Sequence, residues 1–281
     1  MFITHKNISR QGVKANEDYA FSCEHFIFVA DGATGLTNKK YTSYESDAQW
    51  FTQRLGVLLQ ERLYDMSKTI KDILLEIISE LNYEYTDFLS GGDCDALAMP
   101  SAGLSILRLN GDTIELFQLG DCVAIVLTKD NNIMVLFDDS LQKLDKEVIK
   151  NTIDISHKSK ISFSKALMYV KDQLIRNRKR FNKPDGYWIL DLSGVGVYHA
   201  YISNFAVRDV KAAAVMSDGF AEIVDLFKLY DYRNLLKKME DDSLDSLCDE
   251  LFKAQDTDPF MDKYPRLKRH DDSSAAWCAI K

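Results

Sequence analysis

Acidic residues stand at four places where apolar runs of the chain begin or end. Asp31 follows Phe-Ile-Phe-Val-Ala, Asp121 follows Leu-Gly, Asp218 follows Met-Ser, and Asp271 with Asp272 come just before the last apolar run. A carboxylate at the end of a strand is held by the sheet and faces its rim, where it can bind a ligand. Carboxylate and carbonyl oxygens suit Mg²⁺ or Mn²⁺ rather than zinc or copper. The set therefore predicts a site for a hard divalent cation.

Each of these motifs alone has a simpler explanation. Asp-Gly pairs such as Asp31-Gly32 and Asp218-Gly219 are common in ordinary turns. Several like charges on one rim, however, would repel one another unless a cation neutralised them. The recurrence of the pattern thus favours a metal site over four unrelated turns.

The periodicity of the apolar residues predicts the elements that hold these aspartates. The run 26–30 is typical of a buried strand, and two helices are expected after it, the second with an apolar face between Ile70 and Leu81 and an end at Gly91-Gly92. From Ser101 the period changes to that of strands, with a hairpin at Asn110-Gly111.

Further strands are expected at 123–127, 133–137, 187–190, 207–216 and 275–280, with a helix over 244–252. Residues 139–185 are polar and helical in character, so they are predicted to be an insertion between strands. Hairpin-linked strands with segregated helices indicate an α+β fold: a β-sandwich of two mainly antiparallel sheets, flanked by helices on both outer faces. We expect residues 1–281 to form a single domain.

Five short motifs in a fixed order carry a family resemblance. They are Asn16-Glu17-Asp18, Phe28-Val29-Ala30-Asp31-Gly32, Leu119-Gly120-Asp121, Met216-Ser217-Asp218-Gly219-Phe220 and Asp271-Asp272-Ser273-Ser274. In this order they resemble the motifs of bacterial-like metal-dependent protein serine/threonine phosphatases of the 2C type. The resemblance covers the chain from about residue 5 to its end.

The resemblance implies a role for each motif. Asp31 would bridge two Mg²⁺ or Mn²⁺ ions, the carbonyl of Gly32 would join one of them, and Asp218 and Asp271 would hold the other. Asp18, and with it Glu17 through water, would complete the site, and Asp121 matches the position of a weaker third ion. By the same match Asp31 and Asp218 are the catalytic residues, and residues 139–185 correspond to a variable flap beside the cleft.

The resemblance also implies the reaction, which is hydrolysis of phosphoserine and phosphothreonine in proteins by a metal-activated water. The implied partner is a phosphoprotein, the substrate of a serine/threonine kinase. A catalytically weak relative that binds a phosphoprotein or a kinase is the alternative.

Two departures from the family pattern favour that alternative. A histidine that many members carry shortly after the bridging aspartate is missing, since the chain has Ala33 there. The usual phosphate-binding arginine is replaced by Val13, with Lys14 beside it as a weaker candidate, because lysine lacks the bidentate fork of arginine.

The basic run, residues 176–180 (Arg-Asn-Arg-Lys-Arg), has two interpretations. A solvated helix end is the simpler, and docking of a phosphorylated substrate is the other. His270, next to Asp271, is expected on a solvent-facing loop rather than as an acid or base.

Composition excludes several classes of function. A net charge of −8 disfavours nucleic acid and anionic membranes as partners. No stretch approaches the length of a membrane span, and the five cysteines form no Cys-x-x-Cys pair. We therefore expect a cytoplasmic protein whose cysteines, Cys122 and Cys278 among them, are reduced and buried.

Overall fold

Two antiparallel sheets form the centre of the molecule. The computed structural model describes residues 1–280 except 38, 90, 91, 93, 94 and 96. Along this part of the chain the strands are β1 (Phe2–Arg10), β2 (Tyr19–Ser22), β3 (Phe26–Ala33), β4 (Ser101–Asn110), β5 (Thr113–Leu119), β6 (Val123–Thr128), β7 (Ile133–Leu136), β8 (Leu190–Asp191), β9 (Tyr201–Ala206), β10 (Val210–Met216) and β11 (Ser273–Ile280).

The first sheet has the order β1-β11-β10-β6-β7, and the second has the order β2-β3-β4-β5-β9, with the short β8 paired to β4. The chain crosses from the second sheet to the first between β5 and β6. In the second sheet Asp31 pairs with Gly103, and in the first Met216 pairs with both Ala275 and Val123. These pairs bring the end of β10, the start of β11 and the start of β6 to one edge.

The alternation of side chains along each strand produces three apolar layers. Inward residues of both sheets, such as Val29, Leu107, Val126 and Val215, form the core between the sheets. The opposite faces of the same strands pack against helices. The two sheets and the two helical layers outside them make four layers, with an apolar core between each pair of neighbours. Because both faces of each sheet are covered, most strands are apolar on both faces rather than on alternate residues only.

Helices cover both outer faces of the sandwich. Helices α1 (Asp47–Arg62) and α2 (Ile70–Phe88) pack on the second sheet, and α6 (Asp218–Asp225), α7 (Tyr232–Asp241) and α8 (Leu244–Asp256) pack on the first. Three of these helices begin with a capping side chain, whose oxygen accepts a hydrogen bond from a backbone N–H of the first turn that would otherwise have no partner. The caps are Ser46 for α1, Thr69 for α2 and Ser243 for α8.

The insertion, residues 139–185, is helical as expected. It contains α3 (Ser140–Ser159), α4 (Phe163–Ala166) and α5 (Lys171–Arg178). At the end of α5 Arg178 is buried: its guanidinium donates to Ser101 Oγ at 2.8 Å, to the Met99 carbonyl at 2.9 Å and to the Ala33 carbonyl at 3.4 Å. Arg178 thus fastens the insertion to the end of β3 and the start of β4.

The structure confirms the predicted sandwich, the Asn110-Gly111 hairpin, both early helices and α8. Two predicted strands were wrong in their bounds: in the 187–190 region β8 covers Leu190–Asp191 while Tyr187 forms an isolated bridge with Phe181, and the 207–216 strand begins at Val210. The strands β1, β2 and β9 were not predicted. Helix α2 ends at Phe88, before the predicted stop at Gly91-Gly92, of which Gly91 lies outside the described residues. No helix in the described ranges is long and apolar enough to cross a membrane.

Neither explanation of the basic run holds for all its members, since Arg178 is neither solvated nor free to dock substrate. We expect Arg178→Ala to lower the free energy of unfolding by about 2–3 kcal/mol, because the Met99 carbonyl and the Ser101 hydroxyl then lose a charged donor in a buried setting. The exposed neighbour Lys179→Ala serves as the control, with a change below about 0.5 kcal/mol. Denaturant titration measures both, and equal stability of the two variants contradicts the buried role.

Candidate functional site

Asp31 and Gly32 lie near the end of β3 in the second sheet. They pair with Gly103 and Ala102 of β4. A Cβ on residue 32 would stand 2.2 Å from the Glu17 carbonyl oxygen, so only glycine lets the 16–18 loop approach the strand here. The close contact between Gly32 and the Glu17 backbone therefore brings the Asn16-Glu17-Asp18 motif beside Asp31.

Asp121 sits in the crossing between the sheets. Gly120 turns the chain with φ of +82°, a conformation that favours glycine. Gly103 provides the space beside it: a Cβ there would lie 2.9 Å from Asp121 Oδ1 and 3.6 Å from Asp31 Cβ. The two aspartates thus flank the same glycine.

Asp218 and Asp271 come from the first sheet. Asp218 follows β10 at the first position of α6, and its backbone N–H donates to Asp31 Oδ2 at 3.2 Å. A Cβ on Gly219 would lie 3.0 Å from Asp271 Cβ, which places the loop before β11 against the start of α6. Asp271 Oδ1 accepts from Lys268 Nζ at 2.5 Å.

Asp18 is buried at the same edge, and its Oδ2 accepts no hydrogen bond from the residues described. Its neighbour Asp272 ties the surrounding loop in place by accepting from the backbone N–H groups of Gly12 and Glu17 at 2.7 and 2.8 Å. Asp272 therefore positions the loop, while the free oxygen of Asp18 lacks a partner that a buried carboxylate normally has.

Asp18, Asp31, Asp121, Asp218 and Asp271 are called the carboxylate cluster below. Burial, and next the charges of Asp18 and Asp218, raises the pKa of Asp31 well above its ordinary value. Burial, and next the charge of Asp218, likewise raises the pKa of Asp121. Burial together with Asp272 and Asp271 raises the pKa of Asp18 to about 8. Carboxylates drawn together from distant parts of the chain therefore disfavour one another's ionisation.

Two further acids adjoin the cluster and were not anticipated. Asp145 of α3 has its pKa raised to about 7 by burial and the charge of Asp218, against the opposing effect of Lys268. Burial also raises the pKa of Glu222 on α6 to about 8, although the hydrogen bond from Gln255 opposes the shift. No local motif marks either residue, and only the packing of α3 and α6 brings them here.

The remaining predicted residues lie outside the cluster, some exposed and some buried. Glu17 points at Thr34, accepting from its N–H at 3.2 Å and from its hydroxyl. Lys14 and Val13 are exposed on the loop before Asn16. His270 is turned away from solvent, stacks on Phe252 and lies 3.0 Å from Asp256 Oδ1, so the expected solvent-facing position was wrong. Cys122 and Cys278 are fully buried, as expected.

The carboxylate cluster itself offers only oxygen atoms, although the Cys122 thiol lies beside Gly103 next to it. Among the residues that the structure describes, no three His, Cys, Asp or Glu side chains lie in the arrangement of a bound metal ion. The chemistry of the cluster nevertheless fits hard divalent cations, because it offers carboxylate oxygens, one of them without any partner, and no sulfur or imidazole ligand.

Solved structures with the same fold are bacterial phosphatases. The serine/threonine phosphatase Stp1 from Staphylococcus aureus shares 13% identity at a TM-score of 0.52, and covers 100% of this chain and 96% of its own. The serine/threonine phosphatase PstP/Ppp from Mycobacterium tuberculosis shares 13% identity at a TM-score of 0.56, with full coverage of both chains. The catalytic domain of PstP in complex with two manganese ions shares 14% identity at a TM-score of 0.54, and the match covers 99% of this chain and 97% of that one.

At such identities the likeness shows the fold alone, and the search of curated proteins gives no match. Membership of a family is shown instead by a sequence model. The model described as protein phosphatase 2C matches residues 12–263, which takes in four of the five motifs on which the resemblance was based. The chain therefore belongs to the protein phosphatase 2C family.

Proposed function

We propose that the protein is a Mg²⁺- or Mn²⁺-dependent phosphatase that hydrolyses phosphoserine and phosphothreonine in proteins. The observation that carries the proposal is the carboxylate cluster, which gathers five aspartates from both sheets at one edge of the sandwich. A structural role does not require this grouping, since its members raise one another's pKa and so weaken the fold. Family membership supports the same reaction class.

The cluster supports a two-ion site with a third, weaker position. Asp31 lies between the 16–18 loop and Asp218, as a bridging ligand must, and the Gly32 carbonyl is next to it on β3. Asp218 and Asp271 would hold one ion, Asp18 would contribute its unpartnered oxygen, and Asp121 would hold the third. Glu17, bonded to Thr34, would contribute only through water. The manganese pair in the related PstP catalytic domain supports the ion type.

Divalent ions at such a site lower the pKa of water and offset negative charge on phosphoryl oxygens. The aspartates of this chain hold their places through backbone structure: Asp31 through the β3–β4 ladder, and Asp218 through its position at the start of α6. Asp272 keeps the 12–17 loop closed against β11, so Asp18 stays at the edge.

The two departures from the family pattern, Ala33 and Val13, replace groups that would contact the substrate. Ala33 has no proton to donate to the leaving oxygen, and its carbonyl is taken up by Arg178. Lys14 is exposed on the loop before Asp18, within the part of the rim that a phosphoprotein would cover, and we assign it a weak contact with phosphate.

The first prediction concerns two of the proposed ligands. Asp31→Asn and Asp218→Asn should each lower kcat/KM for a phosphothreonine peptide by at least about a hundredfold, roughly 2.7 kcal/mol of transition-state stabilisation. The exposed Asp225→Asn on the same helix, α6, is the matched control and should leave turnover unchanged. Steady-state phosphate release with Mn²⁺ measures all three.

Full turnover in excess chelator would contradict the metal-dependent reaction. If the wild-type protein releases no phosphate with either ion, while Asp31→Asn still binds a phosphoprotein, the chain is the binding relative rather than the enzyme.

The second prediction uses pH. Because the folded pKa of these acids is raised from 3.8 to about 7 for Asp145 and about 8 for Asp18, the unfolded chain loses those protons first as pH rises. The metal-free protein should therefore become less stable between about pH 4 and 8, and the penalty is complete above the folded pKa.

Mn²⁺ should raise the melting temperature, and by more at pH 8 than at pH 5.5, since ionised carboxylates bind it best. Thermal melts in chelator and in Mn²⁺ at a series of pH values provide the measurement. A metal-free protein whose stability increases over that range would be inconsistent with the raised pKa values.

A further inference from the structure

A separate pocket opens beside the carboxylate cluster. Its volume is about 370 Å³, near the lower end of the range for small-ligand sites. Gln118, Leu119 and Gly120 at the end of β5 form one wall, and residues 135–139, which lead from β7 into α3, form another. No residue of the carboxylate cluster lines this pocket, but Gly120 in its wall immediately precedes Asp121, so the two sites are neighbours. We call it the edge pocket.

One side of the edge pocket is aromatic. His199 lies flat on Trp188, with ring centroids 3.4 Å apart and planes 5° from parallel. Tyr201 and Phe137 also line the pocket, and they remain 52% and 47% exposed. Large aromatic surfaces left open next to a cleft are typical of places where a planar group stacks.

The other side is acidic. Asp138 and Asp139 lie at the start of α3 and line the pocket. Asp139 pairs with Lys143 at 2.7 Å, whereas Asp138 forms no salt bridge with any residue described. Asp138 Oδ1 accepts the Ser140 N–H at 2.8 Å, which fixes the side chain at the rim.

Gln118, in the β5 wall of the pocket, has a buried acceptor without a partner in the described part of the chain. Gln118 is only 3% exposed, and its amide nitrogen donates to the carbonyls of Cys122 and Leu136. Its Oε1 accepts nothing from the described residues. A buried carbonyl oxygen without a donor is uncommon, because it loses its water without replacement.

These walls match a guanidinium group. A guanidinium is planar, stacks on aromatic faces and carries five N–H donors for carboxylate and carbonyl acceptors. An anion is disfavoured by Asp138, whose charge has no ion-pair partner among the described residues, and a hydrocarbon group would not neutralise that charge. We propose that the edge pocket binds an arginine side chain of the phosphoprotein substrate, close in its sequence to the phosphorylated residue. This inference rests on the proposed function.

Peptide selectivity tests the proposal. Phosphothreonine peptides would carry arginine, or its neutral isostere citrulline, at each flanking position in turn. At one position or more, the arginine peptide should show kcat/KM about tenfold higher, which equals about 1.4 kcal/mol. The ratio should fall to near one in Asp138→Asn, whose amide oxygen can still accept the Ser140 N–H and preserve the start of α3.

Asp130→Asn, an exposed aspartate in the β6–β7 turn, is the matched control and should keep the wild-type ratio. Hydrolysis of a small aryl phosphate should be the same in all three proteins, because it does not reach the pocket. Equal rates for arginine and citrulline at every position overturn the pocket proposal but leave the phosphatase intact. A preference that survives in Asp138→Asn also overturns it.

A binding measurement separates the two proposals. Titration with an unphosphorylated arginine peptide should change the fluorescence of Trp188, because Trp188 stacks on His199 in the pocket wall, whereas Trp50 and Trp277 are buried at 2% and 1% exposure. The change should be saturable and should weaken at least about tenfold in Asp138→Asn. If no substrate is hydrolysed, the phosphatase proposal fails, and this titration alone decides the pocket: a missing or Asp138-independent signal overturns it.

Discussion

Mutual repulsion of buried carboxylates is the constraint on which the rest of this structure depends. Asp31, Asp121 and Asp218 come from the second sheet, the crossing between the sheets and the first sheet, and burial, followed by the charges of neighbouring aspartates, raises the pKa of each. A protein interior stabilises such charges poorly. The fold must therefore supply enough stability elsewhere to hold the cluster together, and three apolar layers provide it.

The faces of the sandwich are buried, and the carboxylate cluster lies at one of its edges. Both faces of each sheet are covered, by the opposite sheet on one side and by helices on the other. The carboxylate cluster lies at the edge where β3 and β10 end and β11 begins. Glycines 32, 103 and 219 bring the backbones at this edge into contact, because any side chain there would collide with the neighbouring loop.

The insertion joins this edge by contacts of two kinds. Arg178 anchors α5 to the end of β3 and the start of β4, while α3 brings Asp145 towards Asp218 and the N-cap residue of α3, Asp139, lines the edge pocket beside Asp138. A segment that looks like a variable surface addition thus contributes both to the field of the carboxylate cluster and to the surface next to it. Substrate selection in the proposed reaction is a natural task for such a segment.

The sequence by itself determined the fold class, the hairpin at Asn110-Gly111, the main helices and the ordered aspartate motifs, since each depends on local periodicity or on short spacing. Asp18, Asp31, Asp121, Asp218 and Asp271 could be named from the chain, and the structure brings them to one edge; their roles as ligands stay predictions. Tertiary structure decided the rest. Arg178 in a polar run, Asp145 in a polar helix and Gln118 on a strand carry no local signal, because their burial is created by segments far away in the chain. Charge patterns predict solvent contact for such residues, and only long-range packing reverses it.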